Sequence, residues 1–197
     1  MSQIISILGS GFSSLSAACY LSREGHDVTI YEKNKTFGGR ATQLIHQGHK
    51  FDIGPSWYWM PDVFERFFAD FGQEVSDYYK LTKLDPGYQV YFGASDSVLI
   101  SANLDKIYAL FESEEKGSSI QLRGFLRTAE NNYNVAVKDL VYNPGVSPLE
   151  LITPKTISKL NQLFFSIRKQ VKKNFSNPRL IKILEFPVLF LGAKPSN

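Results

Sequence analysis

Two glycines separated by one residue follow directly on a short apolar segment near the N-terminus. The segment 4–8 reads Ile-Ile-Ser-Ile-Leu and stops at Gly9-Ser10-Gly11-Phe12-Ser13-Ser14, which leads into a helical pattern of small residues that ends near Arg23. A second apolar segment, Val28 to Tyr31, follows a polar turn. A strand, a helix and a strand within about thirty residues predict a β-α-β unit with parallel strands.

The spacing of the two glycines is typical of a loop that binds a dinucleotide. Gly9 permits a tight turn, and Gly11 lets the backbone approach a pyrophosphate because it carries no Cβ atom. The N-terminus of the following helix presents unpaired N–H groups and a positive dipole end to the phosphates. Ser14 occupies the third position, where glycine or alanine is usual; it is small, and Ala18 one turn later is expected to keep the helix close to the strand.

Glu32 follows the second predicted strand, 21 residues after Gly11. An acidic side chain at this place accepts hydrogen bonds from the ribose hydroxyls of an adenine dinucleotide. Its charge repels a 2′-phosphate, which disfavours NADP. Strand, glycines, helix, strand and acidic residue in this order predict a dinucleotide-binding site, against the alternative of a structural glycine turn beside a surface carboxylate.

Two further segments extend the candidate site beyond Glu32. Gly38-Gly39-Arg40-Ala41 closes a polar loop that begins at Lys33, and Phe51-Asp52-Ile53-Gly54-Pro55-Ser56 follows after a short hairpin pattern. Arg40 and the backbone amides beside it are expected to reach another part of a bound diphosphate. A plain NAD-dependent reductase does not need these segments and is less favoured. The candidate cofactor-binding residues are Gly9, Gly11, Phe12, Ser13, Ser14, Glu32, Lys33, Gly38, Gly39, Arg40, Asp52, Gly54, Pro55 and Ser56.

The remaining patterns predict short antiparallel strands followed by helices. Strands are expected at 42–45, 50–53, 88–92 and 97–101, and helices at 64–71 and 122–141. A further helix is expected to run to about Glu115, with Ser101, or Asn103 or Asp105 nearby, as its cap. The predicted fold class is α/β: a Rossmann-like β-α-β unit with an incomplete sheet and an inserted region of antiparallel strands and helices. The predicted domains are residues 1–75, which hold the dinucleotide-binding part, and residues 76–197.

Charge is distributed unevenly along the chain, although 22 basic and 19 acidic side chains nearly balance overall. Residues 1–150 carry 13 basic and 18 acidic side chains, whereas residues 151–197 carry nine basic side chains and one acidic side chain. A basic end of this kind indicates an anionic partner: a lipid surface, a nucleic acid or an acidic protein surface. Nucleic acid is disfavoured because no DNA- or RNA-binding motif accompanies the charge.

The basic segment also has a helical period. Apolar residues at steps of three and four form one stripe: Ile157, Leu160, Phe164, Ile167, Val171 and Phe175. The lysines and arginines lie mostly off this stripe. The segment therefore fits either a helix in a membrane interface or a helix packed into the core with a solvated basic back, and the pattern alone favours packing.

Composition excludes several classes of protein. One cysteine excludes an intramolecular disulfide, and three scattered histidines offer no pattern for a metal site, so no metal is expected. No apolar window approaches the roughly 18 residues of a transmembrane helix, and the N-terminal segment, which lacks Lys and Arg, does not resemble a secretory signal. The sequence thus favours an intracellular location.

Taken together, these motifs resemble the flavin-binding amine oxidase and phytoene desaturase superfamily. The resemblance rests on the glycine loop, on Glu32, on Gly38-Gly39-Arg40-Ala41 and on Asp52-x-Gly54-Pro55-Ser56. The aromatic residues that follow, with Met60-Pro61 and Phe64-x-x-Phe67-Phe68, are similar to bacterial-type phytoene desaturases. The likeness spans essentially the whole chain and is most specific over residues 4–68.

The resemblance implies a bacterial carotenoid enzyme that binds FAD noncovalently and passes hydride from an apolar, phytoene-like polyene to the flavin. It assigns the ADP half of FAD to Gly9, Gly11, Ser14 and Glu32, the pyrophosphate to Gly38, Gly39 and Arg40, and the flavin side to Asp52, Gly54 and Pro55. A substrate without polar groups must come from lipid. The resemblance therefore shifts the interpretation of the basic helix toward an anionic membrane surface, with the protein in the cytoplasm and peripheral to the inner face of the membrane. It also implies that residues 76–197 form a region associated with the substrate and the membrane.

Other interpretations stay open at this point. Members of the family are more than twice as long, so a 197-residue chain is expected to be a fragment that binds FAD poorly and is inactive alone. A carotenoid isomerase, a retinol-saturase-like enzyme and an amine oxidase are the nearest alternatives; a Rab-GDI-type lipid-binding protein is one of another class. No catalytic acid or base is assigned, and Asp52, His46, His49 and Tyr58 are candidates by residue type alone.

Overall fold

The computed structural model describes residues 1–54, 57–147, 150, 152–157 and 166–196. The chain divides into two compact units, Met1–Leu81 and Thr82–Asn197. The boundary between these units falls a few residues after the domain boundary expected from the sequence, and the assignment of separate roles to 1–75 and 76–197 stays a prediction.

The first unit begins with the predicted β-α-β unit. Its elements, in chain order, are β1 (Ile4–Leu8), α1 (Phe12–Arg23), β2 (Asp27–Tyr31), β3 (Thr42–His46), β4 (His49–Ile53) and α2 (Pro61–Asp70), with a 3₁₀ turn at Val75–Asp77. β1 and β2 are parallel, with Ile4 opposite Asp27 and Leu8 opposite Tyr31. The strand–helix–strand order and the parallel pairing confirm the Rossmann-like α/β prediction, including its incomplete sheet.

One face of the β1–β2 sheet is covered and the other is open. α1 packs against both strands, and Ile5, Ile7 and Val28 are half-buried. The alternate side chains point to the opposite face because successive residues of a strand face opposite ways. On that face Ile4 is 85% exposed and Leu8 is 82% exposed. In the described part of the chain this sheet consists of two strands.

β3 and β4 form an exposed antiparallel hairpin, as the sequence predicts. Gln47 and Gly48 make the turn, with φ angles of 49° and 80°. Positive φ at both central residues is the geometry that matches the right-handed twist of a two-residue hairpin. The hairpin brings Asp52 opposite Gln43 and places Gly54 just after its second strand.

α2 packs against α1 through aromatic side chains. Phe67 of α2 and Phe71, the residue that follows α2, lie one turn apart, and both rings contact Tyr20 of α1, with centroids 5.8 and 5.1 Å away. The Tyr20 hydroxyl donates to Asp70 at 2.7 Å, and the Arg23 guanidinium lies over the Tyr20 ring. The phenylalanines of α2 are half-buried and thus have a packing role.

The second unit is a hairpin followed by helices. Its elements are β5 (Tyr88–Tyr91), β6 (Ser97–Ile100), α3 (Leu104–Glu114), α4 (Ser118–Tyr133), a π-helical segment (Asn134–Leu140), α5 (Pro154–Ile157), α6 (Ile167–Asn174), α7 (Pro178–Glu185) and a 3₁₀ helix (Phe186–Leu191). β5 and β6 are antiparallel. Asn103 caps α3 by accepting hydrogen bonds from the N–H groups of Asp105 and Lys106, and a cap in this region is what the sequence predicts.

The core of the second unit joins β6 to four helices. Its buried members are Val98, Ile100, Phe111, Leu122, Val171, Phe175, Leu180 and Ile183. Two of them, Phe111 and Phe175, meet edge to face with ring centroids 5.9 Å apart. Arg168 of α6 donates two hydrogen bonds of 2.8 Å to the carboxylate of Glu185 on α7. Close apolar packing and this ion pair together hold α6 against α7.

The described part of the predicted basic helix packs its apolar stripe into the core of the second unit, which differs from the membrane interpretation. Val171 and Phe175 of its apolar stripe are buried in the core, and Ile167 packs against it. The interpretation of this stripe as a lipid-facing surface is therefore wrong over Ile167–Phe175, because the same side chains fill the space between α6, α3 and α7. Residues 158–165, with Leu160 and Phe164, lie outside the described residues, as does the side chain of Ile157.

The helix predicted over 122–141 differs in its second half. α4 ends at Tyr133, and the backbone continues through the π-helical segment Asn134–Leu140 before the turn at 141–142. A π-helix shifts the side chains off the α-helical face, so the apolar stripe read at α-helical spacing does not persist to Val141. Within the described part of the chain no helix has both the length and the apolar character needed to cross a bilayer.

Candidate dinucleotide-binding site

The loop between β1 and α1 is built around Gly9 and Gly11. Gly9 has a φ of +92°, a backbone angle that residues with a Cβ atom rarely adopt. Its N–H donates to the carbonyl oxygen of Tyr31 at 2.7 Å. This bond continues the β1–β2 pairing into the loop. A Cβ atom at Gly9 or at Gly11 would meet no other atom within 4 Å. Both glycines therefore border open space, which a bound group can fill.

The N-terminus of α1 fits an anionic group. Gly11 is the N-cap residue, and it has no side chain to accept from the first-turn N–H groups. The first turn contains no acidic residue. Phe12 and Ser13 are exposed and Ser14 is half-buried. Unpaired N–H groups at the positive end of a 12-residue helix are the donor set that a phosphate requires.

Glu32 is held beside this loop by three hydrogen bonds. Its Oε2 atom accepts from the Ser10 backbone N–H at 2.8 Å and from the Ser10 hydroxyl at 2.7 Å. Its Oε1 atom accepts from the Asn34 backbone N–H at 2.8 Å. The Ser10 hydroxyl, followed by the two backbone donors, lowers the pKa of Glu32 to about 2. The carboxylate is therefore ionised at neutral pH and suited to accept hydrogen bonds from hydroxyl groups.

The spacing of the motifs does not indicate the hydrogen bonds that Ser10 and Asn34 donate to Glu32. Ser10 is 1% exposed and lies between Gly9 and Gly11 of the loop. A hydroxyl residue inside the motif, with an acidic residue at the end of the next strand, is the signal from which the contact could have been inferred. It is weak, because the position between the glycines has no side-chain requirement in the glycine motif itself.

The Gly38–Gly39 turn packs directly on the glycine loop. The Gly38 N–H donates to the Ser10 carbonyl oxygen at 2.9 Å. A Cβ atom on Gly39 would lie 3.2 Å from the Cα atom of Gly11, and one on Gly38 would overlap the Ala41 carbonyl oxygen. Glycine is favoured at 39 because the two loops approach each other closely, and at 38 because its own turn brings the Ala41 carbonyl oxygen against it. The structure thus brings the predicted pyrophosphate segment onto the predicted ADP loop.

Gly54 extends this arrangement toward Arg40. A Cβ atom on Gly54 would overlap the Arg40 carbonyl oxygen, so these two segments also lie in close contact. The Arg40 and Lys33 side chains are exposed. Asp52 accepts from the Gln43 side-chain amide at 2.8 Å across the hairpin. Pro55 and Ser56, also predicted for the site, lie outside the described residues, and the cofactor-binding roles of all these residues stay predictions.

The four catalytic candidates by residue type do not converge on one point. His46 and His49 are cross-strand neighbours in the exposed hairpin, and Asp52 pairs with Gln43. Tyr58 lies in an aromatic cluster: its ring is 4.8 Å from that of Phe64, and its hydroxyl is hydrogen-bonded to the Tyr79 hydroxyl at 2.5 Å. Burial, and then this hydrogen bond, raise the pKa of Tyr58. The phenol is thus neutral at physiological pH and unsuited to act as a base.

Fold and loop geometry define a Rossmann-like dinucleotide-binding unit. The family model described as NAD(P)-binding Rossmann-like domain matches residues 7–73, which include β1, α1, β2 and both glycine segments. This match agrees with the fold and with the site built from its residues.

The curated relatives extend the comparison to the whole chain. Over 196 residues the chain is 39% identical to carotenoid 3,4-desaturase of Haloarcula japonica, covering 97% of this chain and 39% of the relative. Over 193 residues it is 33% identical to the 4,4′-diapophytoene desaturase (4,4′-diaponeurosporene-forming) of Staphylococcus haemolyticus, covering 97% and 38%. The resemblance to carotenoid desaturases is thus confirmed, and the chain is related to them over 97% of its length.

The chain spans less than two fifths of the length of the curated relatives it matches. Among solved structures, a cofactor-binding redesign of putrescine oxidase matches with a TM-score of 0.43 and 15% sequence identity, covering 92% of this chain and 36% of that one.

Proposed function

We propose that this chain supplies the ADP-binding part of an FAD-dependent oxidoreductase that desaturates a carotenoid-type polyene. The observation that carries the proposal is the ionised Glu32 carboxylate beside an open glycine loop, in a chain related over 97% of its length to carotenoid desaturases. Because the chain covers only part of those relatives, activity and substrate belong to the proposal.

The residues of the first unit fit the adenosine diphosphate half of such a cofactor. Gly9 and Gly11 leave space beside the backbone, and the uncapped start of α1 offers N–H donors to phosphate oxygens. Glu32 would accept from the ribose hydroxyls. The Gly38–Gly39 turn, held on the same loop, would place further backbone N–H groups and the Arg40 side chain near the pyrophosphate.

FAD supplies the acceptor for a hydride removed from an allylic carbon of the polyene. The described residues act on the cofactor by binding and orienting it. The negative charge of Glu32 disfavours a 2′-phosphate, so the site discriminates against NADP. No proton-transfer role is assigned to the side chains of this chain.

An apolar polyene substrate follows from the relatives, whose names specify carotenoid and diapophytoene desaturation. We propose the same chemical class for the protein to which this chain contributes. Phytoene is the test substrate because each added conjugated double bond moves the absorbance to longer wavelength.

We also propose that the protein is cytoplasmic and contacts an anionic membrane surface peripherally. A lipid-soluble substrate and the exposed lysines of α6, Lys169, Lys172 and Lys173, support this contact. Since the apolar side of α6 is buried, the contact would be electrostatic and weakened by salt. Flotation of the chain with phosphatidylglycerol vesicles should therefore be lost in K172E/K173E. It should also be lost in about 0.5 M salt, where the Debye length is roughly half of its physiological ~8 Å, and salt-independent flotation would contradict the proposed contact.

A chimera tests the proposed activity. This chain would replace the matching N-terminal part of the Haloarcula relative, and the chimera would be incubated with FAD and with vesicles that contain phytoene or a more unsaturated carotenoid. The expected result is flavin absorbance in the purified protein and a red shift of polyene absorbance. The E32R chimera is the matched control and should lose flavin. A folded, flavin-loaded chimera that leaves every polyene unchanged would contradict the proposed reaction.

The isolated 197-residue chain is the second arm of this test. We expect it to bind FAD weakly and to convert no phytoene, because it spans less than two fifths of the length of its relatives. Robust turnover by the isolated chain would overturn this part of the proposal.

A further inference from the structure

Ser10 lies buried between the two loop glycines and contacts Glu32 with both of its hydrogen-bond donors. We propose that Ser10 is a positioning residue: it fixes the Glu32 carboxylate in the orientation that receives the hydroxyls of the adenosine ribose. This inference rests on the proposed function, because it requires a nucleotide at the loop.

The geometry makes Ser10 a rigid support. Its backbone N–H and its hydroxyl bind the same oxygen, Oε2, at 2.8 and 2.7 Å. Its own carbonyl oxygen accepts from the Gly38 N–H at 2.9 Å, so the peptide groups on both sides of its Cα atom are tied. A glutamate side chain has three rotatable bonds, and anchoring one oxygen at two points removes much of the freedom that a ligand would otherwise have to restrict.

The anchoring also preserves the charge on Glu32. Hydrogen bonds donated to a carboxylate favour its ionised form, and the Ser10 hydroxyl is the main reason that the pKa of Glu32 falls to about 2. An ionised carboxylate acts only as an acceptor. Ribose hydroxyls, which donate, are therefore suited to Glu32, whereas a further anion is repelled.

A purely structural role of Ser10 in loop packing predicts a different result from the positioning of Glu32. The serine also connects the glycine loop to the Gly38–Gly39 turn through its carbonyl oxygen, and a change of side chain could disturb that packing. Such a structural effect would weaken the binding of any nucleotide. A positioning effect through Glu32 would weaken only ligands that carry ribose hydroxyls.

The experiment compares ADP with 2′,3′-dideoxy-ADP, using isothermal titration of the 197-residue chain and its variants. In S10A we expect ADP to bind roughly fivefold more weakly, the effect of one lost hydrogen bond, and dideoxy-ADP to bind as in wild type. In the E32Q background, S10A should cause no further loss for either ligand. S22A, the same change at an exposed position of α1, is the matched control and should bind both ligands like wild type.

The following outcomes overturn the inference. Equal losses for ADP and dideoxy-ADP would show a structural role, and unchanged ADP binding in S10A would show no role at all. Wild-type chain that binds neither ligand would contradict ADP binding by the isolated chain, and the flavin content of the chimera then decides the proposed function. In that case the carboxyl ¹³C titration of Glu32 still tests the contact: its pKa should rise in S10A, and an unchanged value would refute the support of Glu32 by Ser10. Circular dichroism of each variant verifies that it is folded.

Discussion

Gly38 donates its backbone N–H to the carbonyl oxygen of Ser10 at 2.9 Å, and this bond joins two glycine segments that lie 28 residues apart in the sequence. The segments meet without intervening side chains. Gly39 approaches Gly11 in the same region: a Cβ atom on Gly39 would lie 3.2 Å from the Gly11 Cα atom, so close approach of backbone to backbone favours glycine there.

Replacement of Gly38 by alanine should therefore cost more than the same change at another glycine with positive φ. Gly38 has a φ of +102° and its new Cβ would overlap the Ala41 carbonyl oxygen; Gly25 has a φ of +86° and open space around it. We expect Gly25→Ala to destabilise by about 1–2 kcal/mol, from left-handed strain alone, and Gly38→Ala to exceed it. Urea unfolding of both variants measures the difference, and equal losses would show that the Ala41 carbonyl oxygen does not crowd Gly38.

The contribution of Glu32 to stability should depend on pH. Its folded-state pKa is lowered to about 2 from an ordinary value of 4.5, so the unfolded chain binds more protons between these values. The stability gained from Glu32 is complete above about pH 4.5 and is lost as the pH falls toward 2. The difference in free energy of unfolding between wild type and E32Q should thus shrink between pH 6 and pH 3. A constant difference would contradict the hydrogen-bonded geometry of Glu32.

Leu122 should be a major determinant of the stability of the second unit. It is 1% exposed in the core, whereas Ile120 on the same helix is 73% exposed. Leu122→Ala leaves a cavity and should destabilise by about 2–5 kcal/mol; Ile120→Ala should change stability by less than about 0.5 kcal/mol. Thermal unfolding of both variants tests this contrast. Similar effects at the two positions would place Leu122 outside the core.

Removal of Arg168 should lower the stability of the second unit more than removal of the charge of its partner, Glu185. The Glu185 side chain is 8% exposed, and its partner is 42% exposed. Arg168→Met leaves a buried carboxylate without its cation, whereas Glu185→Gln leaves a neutral amide beside a solvated guanidinium. We expect the larger fall in Tm for Arg168→Met. The pKa of Glu185 is lowered mainly by this hydrogen bond, so the stability advantage of wild type over Glu185→Gln should shrink as the pH falls below about 4.5, where the carboxyl is protonated in the unfolded chain.

The sequence was sufficient to predict the elements of the first unit because their signals are local. β1, α1 and β2 follow from apolar segments, a helical period and glycines within about thirty residues. The contacts that complete the candidate site are not local: Ser10 and Glu32 are 22 positions apart. Spacing could indicate that a carboxylate belongs near the loop, but the hydrogen bond that orients it depends on side-chain geometry in three dimensions.

For the basic helix, the sequence predicted the apolar stripe but not what the stripe contacts. Periodicity identifies an apolar stripe but does not specify what covers it, and lipid and protein core select the same residue types. Val171 and Phe175 are covered by Phe111, Leu180 and their neighbours. The resemblance to enzymes that act on apolar substrates favours lipid as the partner of this stripe. In the described residues the stripe packs within the second unit instead.

The uncovered face of β1 and β2 affects how the molecule behaves as its concentration rises. Ile4, Leu8 and Tyr31 present an apolar strip that water must solvate, next to strand edges able to hydrogen-bond to another chain. Light scattering should increase steeply with protein concentration, and Ile4→Lys should suppress it by charging the strip. The folded chain thus exposes an apolar patch through which its copies are expected to associate as their concentration rises.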